Sequence, residues 1–436
     1  MHGIEDHRLY QKLGEKIDNL YVRAPWNETW HSLLRELYTP EEADVVVKMP
    51  YTLSTLERIS RVSQIEKTRL QGILETLCAK GLIIDLWNEE LGRYFYMSNP
   101  IAIGIFEFTM MRSDKNLPMK KWARLFHEYF GWVHAANFSN HEQVSALRVI
   151  PIEESVEERY RTEFFDYEKA TSLIEDAGKL AIGVCSCRKE KLHAEKKECD
   201  APLDTCSFLG IGAEYAIRNK FAREVTKSEM LDNLARSREY DLVFCAVNTR
   251  KKPMAICHCC KCCCNFLGGL NRYGYVNSVV TSTFVSRIDD DLCTGCGKCV
   301  NACPVHAVEL HPVNDAKNKK KKKARLLNEL CVGCGVCAAK CATAAIRMVP
   351  RTDRVLHPES IFEVIILSSL ERGTMQNQIF DNPQSITHQY MRNFVGAFLR
   401  LPPVRKALIS DTFRSIFLRG AKVTAQLQGK GWMLDI

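Results

Sequence analysis

The sequence predicts an α+β chain of several domains, and three observations carry that expectation. Its 436 residues exceed what one hydrophobic core usually serves. Apolar periodicity changes along the chain, from helical spacing, through strand-like alternation and short apolar runs, back to helical stripes. Eighteen of the twenty cysteines fall in three groups between Cys185 and Cys341, which sets the middle of the chain apart from both ends. The expected division is residues 1–100, 101–286, 287–350 and 351–436.

Residues 1–40 read as helical, anchored by Trp26, Trp30, Leu33, Leu34 and Leu37. A short helix is expected from Leu53 to Val62, then a turn near Ser63. A second helix carries Leu70, Ile73, Leu74 and Leu77 at i, i+3, i+4, i+7 spacing and is closed by Gly81. Leu82 to Leu86 and Arg93 to Met97 alternate like a hairpin about Gly92. Two helices followed by a hairpin resemble a winged-helix domain. The resemblance implies either DNA recognition or a protein-contact module. The second helix mixes Glu66 and Glu75 with Lys67 and Arg69, where a groove reader shows a clearer basic face, so DNA is not the favoured partner.

In residues 101–286, Trp122, Leu125, Phe126, Tyr129 and Phe130 form one apolar helix face, most simply a core face. Short apolar strands (Leu147 to Ile152, Leu180 to Val184, Leu242 to Val247, Met254 to Ile256) alternate with helices near 168–178, 208–222 and 228–239. That alternation suggests a small α/β unit. Gly210-Ile-Gly212 is too short for a phosphate-binding loop, so neither nucleotide nor flavin is expected.

At 46% apolar residues, wholesale disorder is excluded. No run approaches the roughly 18 apolar residues of a membrane span; Ile361 to Leu367 is short and holds Glu363. The opening residues, Met1 to Asp6, lack the basic and apolar regions of a signal peptide, which makes the cytoplasm the expected compartment. In a reducing compartment, twenty cysteines point to metal or redox chemistry rather than disulfides. Cys78 and Cys245 sit in apolar sequence and read as core residues. The net charge of +8 is local: residues 317–325 and 387–430 each carry +7, leaving the remainder acidic. Basicity is therefore weak support for a nucleic-acid partner.

The first cysteine group is Cys185-x-Cys187-Arg188, then Cys199 and Cys206. Four thiolates can hold one iron–sulfur cube, and Arg188 would offset its negative charge. A structural zinc ion accepts the same set. The second group, Cys257, Cys259, Cys260, Cys262, Cys263 and Cys264, has more thiols than one cube uses. Either four of them bind one cluster, or the run divides between two centres and shares with the first group. His258 reads as a hydrogen-bonding neighbour before it reads as a ligand.

The third group is the most specific. Cys293-Thr-Gly-Cys296-Gly-Lys-Cys299-Val-Asn-Ala-Cys303-Pro304 is repeated as Cys331-Val-Gly-Cys334-Gly-Val-Cys337-Ala-Ala-Lys-Cys341. The double C-x2-C-x2-C-x3-C run resembles a bacterial-type two-cluster ferredoxin over about residues 287–350. That resemblance implies [4Fe–4S] clusters with a crossed ligand set: Cys293, Cys296, Cys299 and Cys341 for one, Cys331, Cys334, Cys337 and Cys303 for the other. Ala342 replaces the second proline, and 27 residues separate Cys303 from Cys331. That linker holds the run Lys319 to Lys323, readable as a solvated loop tip or as a docking loop for an acidic redox partner. The whole arrangement is similar to cysteine-rich dicluster ferredoxin proteins of anaerobic bacteria.

Beyond residue 350 a helix is expected over 358–371, capped by Ser360. Tyr390, Phe394, Phe398 and Leu401 then form an apolar stripe beside Arg392, Arg400, Arg405 and Lys406, and Phe413, Ile416, Phe417 and Arg419 form another. Such sequence suits peripheral contact with the inner face of a membrane, through residues 387–430, or packing on protein. The expected function is electron transfer, alone or as a subunit of an anaerobic oxidoreductase, through at least two clusters and as many as three or four. A DNA-binding redox sensor and an enzyme with a substrate-binding cluster at Cys257 to Cys264 are the alternatives.

Overall fold

A computed structural model describes residues 2–135, 144–163, 166–274, 279–313, 322–352, 355, 357–408, 410–427 and 431–435. The N-terminal helices are α1 (His2–Asp18), α2 (Glu28–Leu37) and α3 (Pro40–Lys48). The expected helical stretch 1–40 is thus broken, and Asn27 starts α2 by accepting a hydrogen bond from the Trp30 N–H at 2.7 Å. Then follow β1 (Ser54–Thr55), α4 (Leu56–Ser63), α5 (Lys67–Ala79), β2 (Ile83–Asn88) and β3 (Arg93–Ser98). The three strands form one antiparallel sheet in the order β1-β3-β2. Helices α6 (Phe106–Met111) and α7 (Met119–Ala135) complete this part. One core runs from Tyr10 to Phe130 and takes in Trp122, Phe126, Tyr129 and the buried thiol of Cys78.

The central elements are β4 (Leu147–Ile150), α8 (Ala170–Glu175), β5 (Leu180–Gly183), α9 (Ser186–His193), β6 (Cys206–Leu209), α10 (Ile211–Arg218), β7 (Ala222–Glu224), α11 (Lys227–Glu239), β8 (Val243–Val247), β9 (Ala255–Cys259), α12 (Asn265–Tyr273) and β10 (Val279–Val280). They build a seven-stranded sheet in the order β10-β4-β8-β9-β6-β5-β7. Only β10 and β4 pair in parallel; the other described pairs are antiparallel. This corrects the expected α/β unit: short links such as that between β8 and β9 join antiparallel neighbours without a crossover. The helix expected over 208–222 is also corrected. It is β6, then α10, then β7, because Phe208 and Leu209 bury in the sheet before Gly210 turns the chain with φ of 53°.

Strands β11 (Phe284–Ile288) and β14 (Ile346–Pro350) pair antiparallel, as do β12 (Val308–Pro312) and β13 (Lys322–Leu326). Short helices α13 (Lys298–Ala302) and α14 (Val336–Ala339) sit inside the two cysteine runs. The C-terminal helices are α15 (Ile361–Arg372), α16 (Gln376–Ile379), α17 (Ile386–Leu399), α18 (Pro402–Leu408) and α19 (Asp411–Leu427). Ser360 stands at the start of α15, but its hydroxyl makes no capping bond. The Glu363 carboxylate instead accepts from the Glu359 N–H at 2.8 Å. The Arg372 guanidinium donates to the carbonyls of Asp18 and Leu20, and Arg58 pairs with Asp381 at 2.8 Å, so the C-terminal helices are tied to the N-terminal part.

Candidate metal centres

The two repeated cysteine runs fold alike. In each, glycines at positive φ (Gly295 and Gly297, Gly333 and Gly335) bend the chain between thiols. A side chain at Gly295 would collide with the Lys322 carbonyl, and one at Gly333 with the Phe284 carbonyl. Each run is thus wrapped tightly against a strand. The structure brings Cys293, Cys296, Cys299 and Cys341 to the wall of one cavity of about 140 Å³. Cys303 leaves its own run and lies with Cys331, Cys334 and Cys337.

The surroundings of these thiols are apolar but not featureless. Burial raises Cys303 and Cys299, raises Cys334 well above the ordinary thiol range, and pushes Cys337 up to about 12. Left alone, these groups stay protonated; a bound metal core would deprotonate them. Donors are in place for the resulting sulfur charge. The Ala307 N–H donates to the Cys303 Sγ at 3.2 Å, the Ala324 N–H to the Cys293 Sγ at 3.4 Å, and the Ser286 hydroxyl lies 3.1 Å from the Cys337 Sγ. Arg351 donates to the Cys331 carbonyl, a partner that nothing in the sequence marked. Cys296 is the one exposed cysteine of the chain.

The structure does not bring Cys185, Cys187, Cys199 and Cys206 to one point. Helix α9 follows Cys185 directly and carries the chain away, so Cys199 arrives elsewhere than Cys206, which begins β6. Cys185, Cys187 and Cys206 instead share a buried cavity of about 40 Å³ with Cys257, Cys259, Cys260 and Cys264. There Cys187 faces Cys264 and Cys206 faces Cys257, and this proximity raises Cys187 and Cys206 and lowers Cys264 and Cys257. Cys199 sits with Cys260, Cys262 and Cys263.

Arg188 is fully buried beside these thiols. It donates to the His258 carbonyl at 2.8 Å and to the Thr205 hydroxyl, while among the described residues its Nε meets no hydrogen-bond partner. Burial lowers the pKa of the guanidinium, but the neighbouring Cys185, Cys260 and Cys259 raise it above the ordinary value, so it stays charged. His258 is not available as a ligand. Its two ring nitrogens meet the Ser207 hydroxyl at 2.9 Å and the Ser237 hydroxyl at 2.6 Å, and burial pushes it down to about 3. Sequence reasoning missed Glu107, which lines the same cavity and which burial pushes up to about 8. Its isolation in the apolar run Phe106-Glu107-Phe108 was the available signal. Cys245, on β8, lies against Cys259 in the shared core.

The 4Fe-4S dicluster domain family matches residues 292–352. The chain is therefore an iron–sulfur protein whose ferredoxin-type module lies within a larger cysteine-rich sequence. No curated protein and no solved structure matches the chain.

Proposed function

We propose that this protein is an electron carrier, or the electron-carrying component of an oxidoreductase, with [4Fe–4S] clusters at three places. Cys293, Cys296, Cys299 and Cys341 would hold one; Cys331, Cys334, Cys337 and Cys303 a second; Cys187, Cys206, Cys257 and Cys264 a third. When bound, such a cluster supplies reversible one-electron chemistry. The donor sets fit it, being four thiols each, buried or half-buried save Cys296, with N–H, hydroxyl or guanidinium groups beside them.

The observation that carries this reading is continuity. Cys259 and Cys264 of the central site belong to the same apolar cluster as Cys299, Cys303, Cys331, Cys334 and Cys337, together with Leu147, Leu267 and Val305. A packed apolar region thus extends from the buried central site into the ferredoxin-type module, where Cys296 is exposed. Along it the chain excludes water from the thiols and fixes their hydrogen bonds, which set potentials. The described end of the lysine run, Lys322 and Lys323, leads into Ala324 on the wall of the Cys293 cavity, which suits docking of an acidic partner there. Lys319 to Lys321 lie outside the described residues.

The other readings have less support. The element order around α4 and α5, with the strand order β1-β3-β2, supports the resemblance to a winged helix. Yet Lys67 pairs with Glu57 at 2.7 Å, and Arg69 donates to Glu41 at 2.9 Å, which neutralises the helix face a duplex would meet. A protein-contact role suits it better. The central cavity, at about 40 Å³, is small for a substrate. Among the described residues no helix is long and apolar enough to cross a membrane. The stripe on α17 is nonetheless open to solvent, with Tyr390 at 74% and Phe394 at 76% exposure, and we assign it to a partner surface. The side chains of Arg405 and Lys406 lie outside the described residues.

The test is an anaerobic redox titration followed by EPR. Reduction should develop signals from more than one [4Fe–4S]⁺ cluster, and a one-electron acceptor should discharge them reversibly. A chain with no reducible signal would refute the proposal.

A further inference from the structure

The cysteines at the turn after β9 differ from the rest in how closely they converge. The sulfurs of Cys199, Cys260, Cys262 and Cys263 all lie within 4.8 Å of one another. Cys262 is 3.5 Å from Cys263 and 3.9 Å from Cys260, and Cys199 is 3.9 Å from Cys263. A tetrahedral ion with metal–sulfur bonds of about 2.3 Å sets neighbouring sulfurs about 3.8 Å apart. A four-iron cube puts each thiolate on a different iron and spreads the sulfurs well beyond that edge.

The same structure supplies the control. Among the described residues no other group of three or more His, Cys, Asp or Glu side chains converges so closely, and that includes all eight cysteines of the ferredoxin-type module. We propose that Cys199, Cys260, Cys262 and Cys263 bind a single tetrahedral, thiolate-preferring metal ion, zinc or iron, distinct from the clusters. The set is closed: it offers four protein ligands and no open position, the hallmark of a structural site. Cys260 and Cys263 are buried against Ala201 and Leu242, and Arg188 stands by to offset the charge of the thiolates.

The position gives the ion a task. Lys261, between two of the ligands, donates to the Asn301 carbonyl of α13 at 2.7 Å, and Arg272 of α12 donates to the Cys262 carbonyl at 3.3 Å. Asn271 of α12 donates to the Pro304 carbonyl at 2.7 Å. An ion holding the 260–263 turn to Cys199 therefore clamps the joint between the central sheet and the ferredoxin-type module. This inference does not depend on the electron-transfer reading, because its readout is metal stoichiometry.

The experiment uses the full chain, purified anaerobically, with zinc, iron and acid-labile sulfide measured on one sample. One zinc per chain is expected, or failing that one iron in excess of sulfide; the two arms identify the ion. Cys199→Ala should lose that one metal and leave sulfide unchanged. Loss of about four iron and four sulfide together would show a cube and overturn the proposal. So would no metal loss at all. If Cys199→Ala does not fold, X-ray absorption on the native protein decides. Zinc with four sulfur neighbours at about 2.3 Å sustains the proposal, and zinc absent with iron equal to sulfide overturns it.

Discussion

Cys303 and Cys341 each stand with the cysteines of the other run, so a change at either reaches across the repeat. Cys303→Ala should deplete the iron held by Cys331, Cys334 and Cys337, while the EPR signal of the Cys293 site survives. Loss of the Cys293 signal alone would contradict the crossed assignment. The glycines between the thiols give a second check. Gly295→Ala meets a φ of 70° and the Lys322 carbonyl, and should cost more than about 1 kcal/mol of stability by thermal unfolding. Gly92→Ala, also at positive φ but in open space, should cost less. At this scale the repeat was readable, because ligation of a metal core dictates the spacing of its thiols. His258 was readable as a hydrogen-bonding neighbour, but its partners and the role of Arg351 were not, because the hydroxyls and carbonyl they engage lie 20 to 51 residues away in sequence.

Elements were readable where one face decides them. The stripe from Trp122 to Phe130 is a core face on α7, and Leu70, Leu74 and Leu77 are buried on α5. They were misread where burial is two-sided, as in β6, where all four residues are buried and the periodicity vanishes. Lys16 on α1 supplies a test of the N-terminal core. Burial, with Arg392 adding to it, pushes its ammonium down to about 7, and its Nζ donates to the Val47 carbonyl at 3.3 Å. A lysine whose folded pKa lies below its unfolded value near 10.4 favours unfolding while protonated. Stability should then rise with pH from about 7 to about 10, and be lost as pH falls through that window. Lys16→Met should flatten the rise in unfolding midpoint between those limits; an unchanged slope would show that Lys16 is not its source.

For the whole molecule, charge and metal content are linked. The net charge of +8 counts thiols as neutral, and each [4Fe–4S]²⁺ core with four thiolates brings about −2. With the three proposed clusters the net charge would fall to about +2, and the basic segments would be local devices on a nearly neutral chain. Neutralising Lys319 to Lys323 should slow electron delivery to an acidic partner at low salt, leave cluster content intact, and matter little once salt screens beyond about 8 Å. The division of the central cysteines was not readable, because α9 and the sheet order, not sequence distance, decide which thiols meet. The most direct measurement is iron and acid-labile sulfide on the anaerobically isolated chain. Two clusters in the ferredoxin-type module require at least about eight of each, and the central site raises both to about twelve. A fully folded preparation rich in zinc and free of sulfide would contradict the account.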